Sequence, residues 1–132
     1  MAIRVEDIGD LTITFEEVGY VHFHFKKSDK PVGASLIKKA LEILKKELKQ
    51  KACLLVSTEE GATLSQDARD FASSESFDEY ILADAIIRAN YSHEMAANFF
   101  IRFNRPNRPV KLFPSKEKAL TWIAEIQDQA NN

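Results

Sequence analysis

Two short, almost continuously apolar segments most constrain the fold of this chain. Residues 52–56 read Ala-Cys-Leu-Leu-Val, and residues 81–87 read Ile-Leu-Ala-Asp-Ala-Ile-Ile. Apolar runs of this length are typical of β-strands that are buried on both faces, as they are in parallel sheets. A helical pattern separates the two segments, and a helix is the usual crossover between parallel strands. We therefore predict that they form neighbouring, parallel strands of one sheet.

An alternating pattern near the N-terminus predicts a β-hairpin that extends this sheet. Apolar and polar residues alternate over residues 11–15 and again over residues 21–25, which is the period of a half-buried strand. Gly19 lies between the two segments and can supply the turn. We expect the apolar residues of the second strand to face the core, which leaves His22 and His24 on its opposite face.

Periodic apolar positions predict four helices. The clearest apolar stripe runs over residues 36–48, with Leu44 near its middle and lysines between the apolar positions. Ser65 suits the N-cap of a short second helix that reaches Ser74. A third helix is predicted over residues 92–103, and a fourth follows a last short strand at residues 110–113.

The predicted order of elements is β-β-α-β-α-β-α-β-α, which defines an α/β fold. Strands that alternate with helices favour a largely parallel sheet joined by right-handed crossovers, and the hairpin makes the sheet mixed. The sequence contains neither an internal repeat nor a linker. We therefore predict a single domain over residues 1–132.

Composition excludes several classes of protein. One cysteine excludes an intramolecular disulfide framework and a multi-cysteine zinc site. The formal net charge of −2 gives no overall reason to expect a nucleic-acid partner. No apolar run approaches the roughly 18 residues that a membrane span needs. The acidic N-terminus has no apolar segment of the kind found in signal peptides, so we expect a cytoplasmic protein without a transmembrane segment.

The sequence offers little that suits catalysis or metal binding. His22 and His24 have the spacing of two ligands on one strand face, but the sequence indicates no third ligand. Cys53 lies in an apolar segment, where a thiol behaves as a small apolar group. Phosphate-binding glycine-rich motifs and nucleophile elbows are absent. We therefore predict no enzyme, no catalytic residue, no metal site and no cofactor.

Four cationic side chains cluster at the junction between the third helix and the last strand. Two interpretations are open, because this junction is either a solvated proline-containing loop or a site for an anion or an acidic partner. The acidic segment of the chain itself, residues 57–84, is a competing partner for these cations. The cluster consists of Arg102, Arg105, Arg108 and Lys111.

The predicted third helix is apolar on every side. Phe100 is predicted to lie beside Phe99, and Ile101 is predicted to lie on the other side of the helix. A helix of this kind is either deeply buried or covered by another molecule. The alternatives to a core position are an apolar pocket and a dimer contact. We predict a homodimer that uses the exposed side of this helix or the outer face of the sheet.

Several segments between residues 10 and 126 carry a family resemblance. In these segments and in the order of elements, the chain resembles the bacterial STAS/SpoIIAA-like proteins, in particular small STAS/Sec14-type proteins of Bacteroidetes. The resemblance implies a SpoIIAA/STAS-like fold, with a mixed four- to five-stranded sheet, an N-terminal hairpin and about four helices packed mainly on one face. It implies no enzyme. The segments are 64–69, 83–87, 97–100, 103–106, 109–113 and 119–123.

The resemblance also implies a function. STAS domains are partner-binding modules, and in the anti-sigma-factor antagonists a serine at the start of the second helix is phosphorylated. The matching stretch, residues 57–65, lacks an acceptor motif of the Asp-Ser-Ser type, so Ser57 and Ser65 are candidates by position only. We predict a non-catalytic regulatory or protein-interaction module whose protein partner the sequence does not identify. The alternative is a small-ligand or lipid-binding domain with an apolar pocket near the third helix.

Overall fold

The computed structural model describes residues 2–88 and 107–131. Within these residues six strands form one mixed sheet, whose spatial order is the order of the strands along the chain. The strands are β1 (Ala2–Asp7), β2 (Leu11–Glu16), β3 (Tyr20–Phe25), β4 (Ala52–Thr58), β5 (Ile81–Ile87) and β6 (Val110–Phe113). The described helices are α1 (Ala34–Glu47), α2 (Gln66–Ala72), α3 (Glu75–Asp78) and α4 (Lys116–Asn131).

The strand pairing confirms the predicted α/β fold class. β1, β2 and β3 pair in antiparallel fashion, and β3, β4, β5 and β6 pair in parallel. The predicted hairpin is present, with Thr14 opposite His22. The prediction that residues 52–56 and 81–87 are neighbouring parallel strands is confirmed, since Leu55 lies opposite Ala85.

Strand β1 is not predicted by the sequence pattern, and it takes the sheet beyond the four to five strands that we expected. Nearly all of its side chains are exposed, so its apolar alternation is limited to Ile3 and Val5. The register to β2 is also irregular between Ala2 and Arg4. Backbone pairing with β2, rather than burial of side chains, therefore holds this strand on the sheet.

Helices lie on both faces of the sheet. On the first face, α1, α2 and α3 cover a core that includes Ile13, Phe23 and Leu44. On the second face, α4 packs mainly on β4, β5 and β6, around Leu55 and Ile123. Three of the four described helices thus share the first face, as the resemblance implies. None of the described helices is long and apolar enough to cross a membrane.

The short helix predicted after β4, from Ser65 to Ser74, is α2, and the single-turn helix α3 that follows it was not predicted. Ser65 is the N-cap of α2, as predicted, because its backbone is extended and its hydroxyl oxygen accepts the N–H of Ala68 at 3.3 Å. The carboxylate of Asp67 accepts the same N–H at 3.0 Å, and the hydroxyl of Ser65 donates to that carboxylate. The N-terminus of α2 is therefore capped by two side chains.

Removing this cap has a small expected cost. Ser65→Ala should lower the free energy of unfolding by about 0.5–1 kcal/mol, at the low end of N-cap substitutions because Asp67 still accepts the Ala68 N–H. Chemical denaturation measures the change. Ser65→Asn is the matched control, because asparagine is also a good N-cap, and it should retain most of the stability. A loss of more than about 2 kcal/mol would show that Ser65 has a structural role beyond the cap.

Candidate functional site

A row of polar side chains follows β2, β3 and the end of β4 on the second face of the sheet. Successive side chains of a strand alternate between faces, so the apolar residues of β3 are buried on the first face and its histidines lie on the second, as predicted. We call this set the polar row, and its members are only partly buried. It consists of Thr12, Thr14, His22, His24 and Ser57.

The hydroxyl of Ser57 lies between the two imidazoles of the polar row. Its Oγ atom is 2.7 Å from Nε2 of His22 and 2.7 Å from Nδ1 of His24. The parallel pairing of β3 with β4 brings these groups together, because it places His24 directly opposite Ser57. The sequence pattern placed the two histidines on one face but did not indicate the serine, which is 33 residues away from His24.

Protonation of this cluster follows from its surroundings. Burial, together with the charges of Lys116 and His24, lowers the pKa of His22 to about 4, so this imidazole is neutral at pH 7. Glu59 lies beside the other imidazole, with Oε2 at 3.8 Å from Nε2 of His24. The second carboxylate oxygen of Glu59 accepts the backbone N–H of Lys27 at 2.7 Å, which fixes the position of the carboxylate.

Among the described residues, the polar row has fewer potential ligands than a protein metal site usually contains. Over residues 2–88 and 107–131, no three side chains of histidine, cysteine, aspartate or glutamate are grouped as metal ligands. The thiol of Cys53 is fully buried, as predicted, and burial raises its pKa to about 11. A protonated, enclosed thiol is a poor nucleophile and a poor metal ligand.

The cationic cluster of the sequence does not form one exposed patch. Arg108 is buried at 7% exposure, and its Nε and Nη2 atoms donate to the two carboxylate oxygens of Asp84 at 2.9 and 3.0 Å. Its Nη1 donates to Asp78 at 2.7 Å and its Nη2 also donates to the carbonyl of Ala72 at 2.6 Å. The guanidinium is thus bound to partners inside the protein, and the prediction that Arg108 belongs to an anion-binding patch is wrong.

Lys111 differs from Arg108 because it remains exposed on β6. Its ammonium lies 6.0 and 5.9 Å from the ring centroids of Phe113 and Trp122, respectively.

Five other residues singled out in the sequence lie outside the described residues. They are Arg102, Arg105, Phe99, Phe100 and Ile101. The anion-binding, interface and pocket roles of those five residues stay predictions.

The buried pair of Asp84 and Arg108 has a structural role. It ties β5 to α3 and to the end of α2, since the guanidinium reaches all three elements. Burial raises the pKa of the Asp84 carboxyl, and the hydrogen bonds from Arg108 oppose that rise. One signal in the sequence could have revealed the pair, because an aspartate inside an apolar strand needs a buried cationic partner.

A further surface is formed by the edge strand β1. The exposed large apolar side chains among the described residues are Ile3, Val5 and Val18, and the first two belong to β1. Val5 lies on the second face beside Thr14, next to the polar row.

A shallow cleft of about 520 Å³ lies where α1 begins. Its lining includes the polar residues Asp10, Ser28 and Lys30, together with apolar side chains such as Leu36. This cleft is open to solvent and is not the apolar pocket near the third helix that the sequence analysis considered. The predicted location of that pocket lies outside the described residues.

Comparisons with other proteins agree with this architecture. Residues 16–127 match the family model described as a domain of unknown function, DUF7793. A search of curated proteins finds no match to the chain. A crystal structure of an uncharacterised protein of the DUF3478 family from Shewanella loihica PV-4, described as having a SpoIIAA-like fold, is 20% identical in sequence. The match covers 92% of each chain with a TM-score of 0.53, which confirms the SpoIIAA-like fold implied by the resemblance.

Proposed function

The chain belongs to the DUF7793 family, and from this premise and its SpoIIAA-like fold we propose that it is a non-catalytic protein-interaction module of the STAS-like type. Strand β1 carries the proposal, because it is an edge strand with two exposed apolar side chains. Edge strands expose backbone groups that can pair with another strand, and proteins normally protect them. The single cysteine of the chain is consistent with a cytoplasmic, reducing location.

The occupant that β1 fits best is a second copy of this chain. Ile3 and Val5 are 69% and 57% exposed, and a partner strand centred on Val5 would cover the latter. Residues 4–7 pair regularly with β2, so their outer edge is straight enough to accept a further strand. An antiparallel pair of β1 strands, related by a two-fold axis at Val5, would extend the two sheets into one continuous sheet.

In this arrangement, charged side chains of β1 would face side chains of opposite charge on the second copy. With the axis at Val5, Arg4 of each copy lies opposite Glu6 of the other, and opposite charges across a strand pair are stabilising. Within one copy Arg4 already contacts Glu6 and lies 3.4 Å from Glu47 at the end of α1. The charges that would meet across the axis are thus held on one side of the strand.

Light scattering at several concentrations tests this dimer. We expect the wild-type chain to be dimeric and Val5→Asp to be monomeric with an unchanged circular dichroism spectrum. A dimer of this variant would place the two introduced aspartates against each other in a partly buried contact, which is unfavourable. Val18→Asp is the matched control, because Val18 is 68% exposed but lies in the β2–β3 turn, and this variant should stay dimeric.

Charge exchange provides a sharper test of the register. Arg4→Glu alone should weaken the dimer, because it places acidic side chains opposite one another. The double variant Arg4→Glu with Glu6→Arg restores opposite charges across the axis and should recover dimerisation. A wild-type chain that stays monomeric at the highest concentration would contradict the β1 dimer, and a Val5→Asp variant that stays dimeric would place the contact elsewhere.

A further inference from the structure

Ser57 is held in the arrangement of an activated nucleophile, and we propose that it accepts an acyl group from activated acyl donors. The proposal goes beyond the interaction module inferred above. It concerns a single, stoichiometric transfer to one side chain and does not require turnover.

The hydrogen bonds of the cluster define which group takes the proton. A serine hydroxyl has one proton, so it can donate to only one of the two imidazoles and must accept an N–H from the other. Glu59 lies beside Nε2 of His24 at 3.8 Å, which favours a proton on that nitrogen. Nδ1 of His24 then has a free lone pair, and the hydroxyl of Ser57 donates to it.

The second histidine completes the arrangement. Because the hydroxyl proton points to His24, the Oγ atom accepts the Nε2–H of His22. This hydrogen bond stabilises negative charge on Oγ as the oxygen loses its proton. His24 thus acts as the base, while His22 and Glu59 are positioning residues for the oxygen and for the base. A nucleophile, a base within hydrogen-bonding distance and a third group that orients the base are the elements of nucleophilic catalysis.

The groups beside Ser57 are open to solvent. The imidazole of His24 is 38% exposed and the side chain of Glu59 is 50% exposed, while Ser57 is partly buried. Ser57 also lies near the carboxyl end of β4, the edge of parallel strands at which α/β proteins bind ligands.

The proposed step is balanced in atoms and protons. Oγ of Ser57 attacks the carbonyl carbon of an ester, an Oγ–C bond forms, and the bond from that carbon to the leaving-group oxygen breaks. The hydroxyl proton passes to Nδ1 of His24 and from there to the departing oxygen. The products are an ester of Ser57 and the alcohol or phenol of the donor.

Acetylation by p-nitrophenyl acetate tests the proposal directly. Release of nitrophenolate gives the rate, and peptide mass spectrometry locates the acetyl group and separates Ser57 from the lysines. We expect Ser57 to be acetylated faster than any other serine of the chain. His24→Gln should slow acetylation of Ser57 at least about tenfold, since a positioned base typically contributes about 10²–10⁴-fold.

Matched variants separate activation from mere exposure. Ser57→Ala should lose the label at this position, whereas Ser28→Ala, a change at a partly buried serine of the β3–α1 loop, should leave the rate at Ser57 unchanged. Glu59 is exposed, and a glutamine amide oxygen can also accept the N–H of Lys27, so Glu59→Gln should leave the fold intact. It should still slow the reaction, even if His24→Gln destabilises the chain. Acetylation of Ser57 at the rate of other serines, or a rate unaffected by both His24→Gln and Glu59→Gln, would overturn the proposal.

Discussion

Replacing Asp84 with alanine is expected to lower the free energy of unfolding by about 3–5 kcal/mol. The carboxylate is 5% exposed and accepts two hydrogen bonds from Arg108, which is itself 7% exposed. Among the described residues, the buried guanidinium then keeps Asp78 and the carbonyl of Ala72 as its hydrogen-bond partners. An incompletely paired buried charge is costly because the protein interior solvates it poorly.

Chemical denaturation of three variants tests this pair. Asp128→Ala removes an exposed carboxylate of α4 and should change stability by no more than about 0.5 kcal/mol. Arg108→Met in the Asp84→Ala background should recover part of the loss, because no buried guanidinium is then left without its main partner. A loss below about 1 kcal/mol for Asp84→Ala would show that water reaches the pair and screens it.

Truncating Leu44 to alanine is expected to cost about 2–5 kcal/mol. Leu44 is fully buried in the first-face core, on the side of α1 that packs against the sheet. Alanine removes apolar contacts and leaves a cavity that the surrounding side chains fill only in part. The expected cost therefore combines the lost burial with the cost of the cavity.

The neighbouring residue provides the control for this prediction. Lys45 lies on the exposed side of α1, where its ammonium is 3.3 Å from Glu42. Because exposed ion pairs contribute little, Lys45→Ala should change stability by no more than about 0.5 kcal/mol. Denaturation of both variants measures the difference. Equal losses would mean that α1 presents a different side to the sheet.

Local patterns account for the elements that were predicted correctly. The apolar runs at 52–56 and 81–87 and the alternation in β2 and β3 reflect burial on two faces or on one, and burial leaves its mark on the sequence. Strand β1 is the counterexample. Its side chains are mostly exposed, so the strand depends on backbone pairing with β2. Backbone pairing does not require a particular pattern of side chains and therefore leaves little trace in the sequence.

The two polar clusters required the fold. Ser57 meets His22 and His24 because β3 and β4 pair in parallel with a particular register, and a shift by one residue would turn the serine to the other face. Arg108 meets Asp84 across 24 residues because the chain enters β6 beside β5. Burial and periodicity, which are properties of single segments, could thus be inferred from the order of residues. Contacts between distant polar groups could not, because strand register and chain crossing, rather than any local pattern, bring their atoms together.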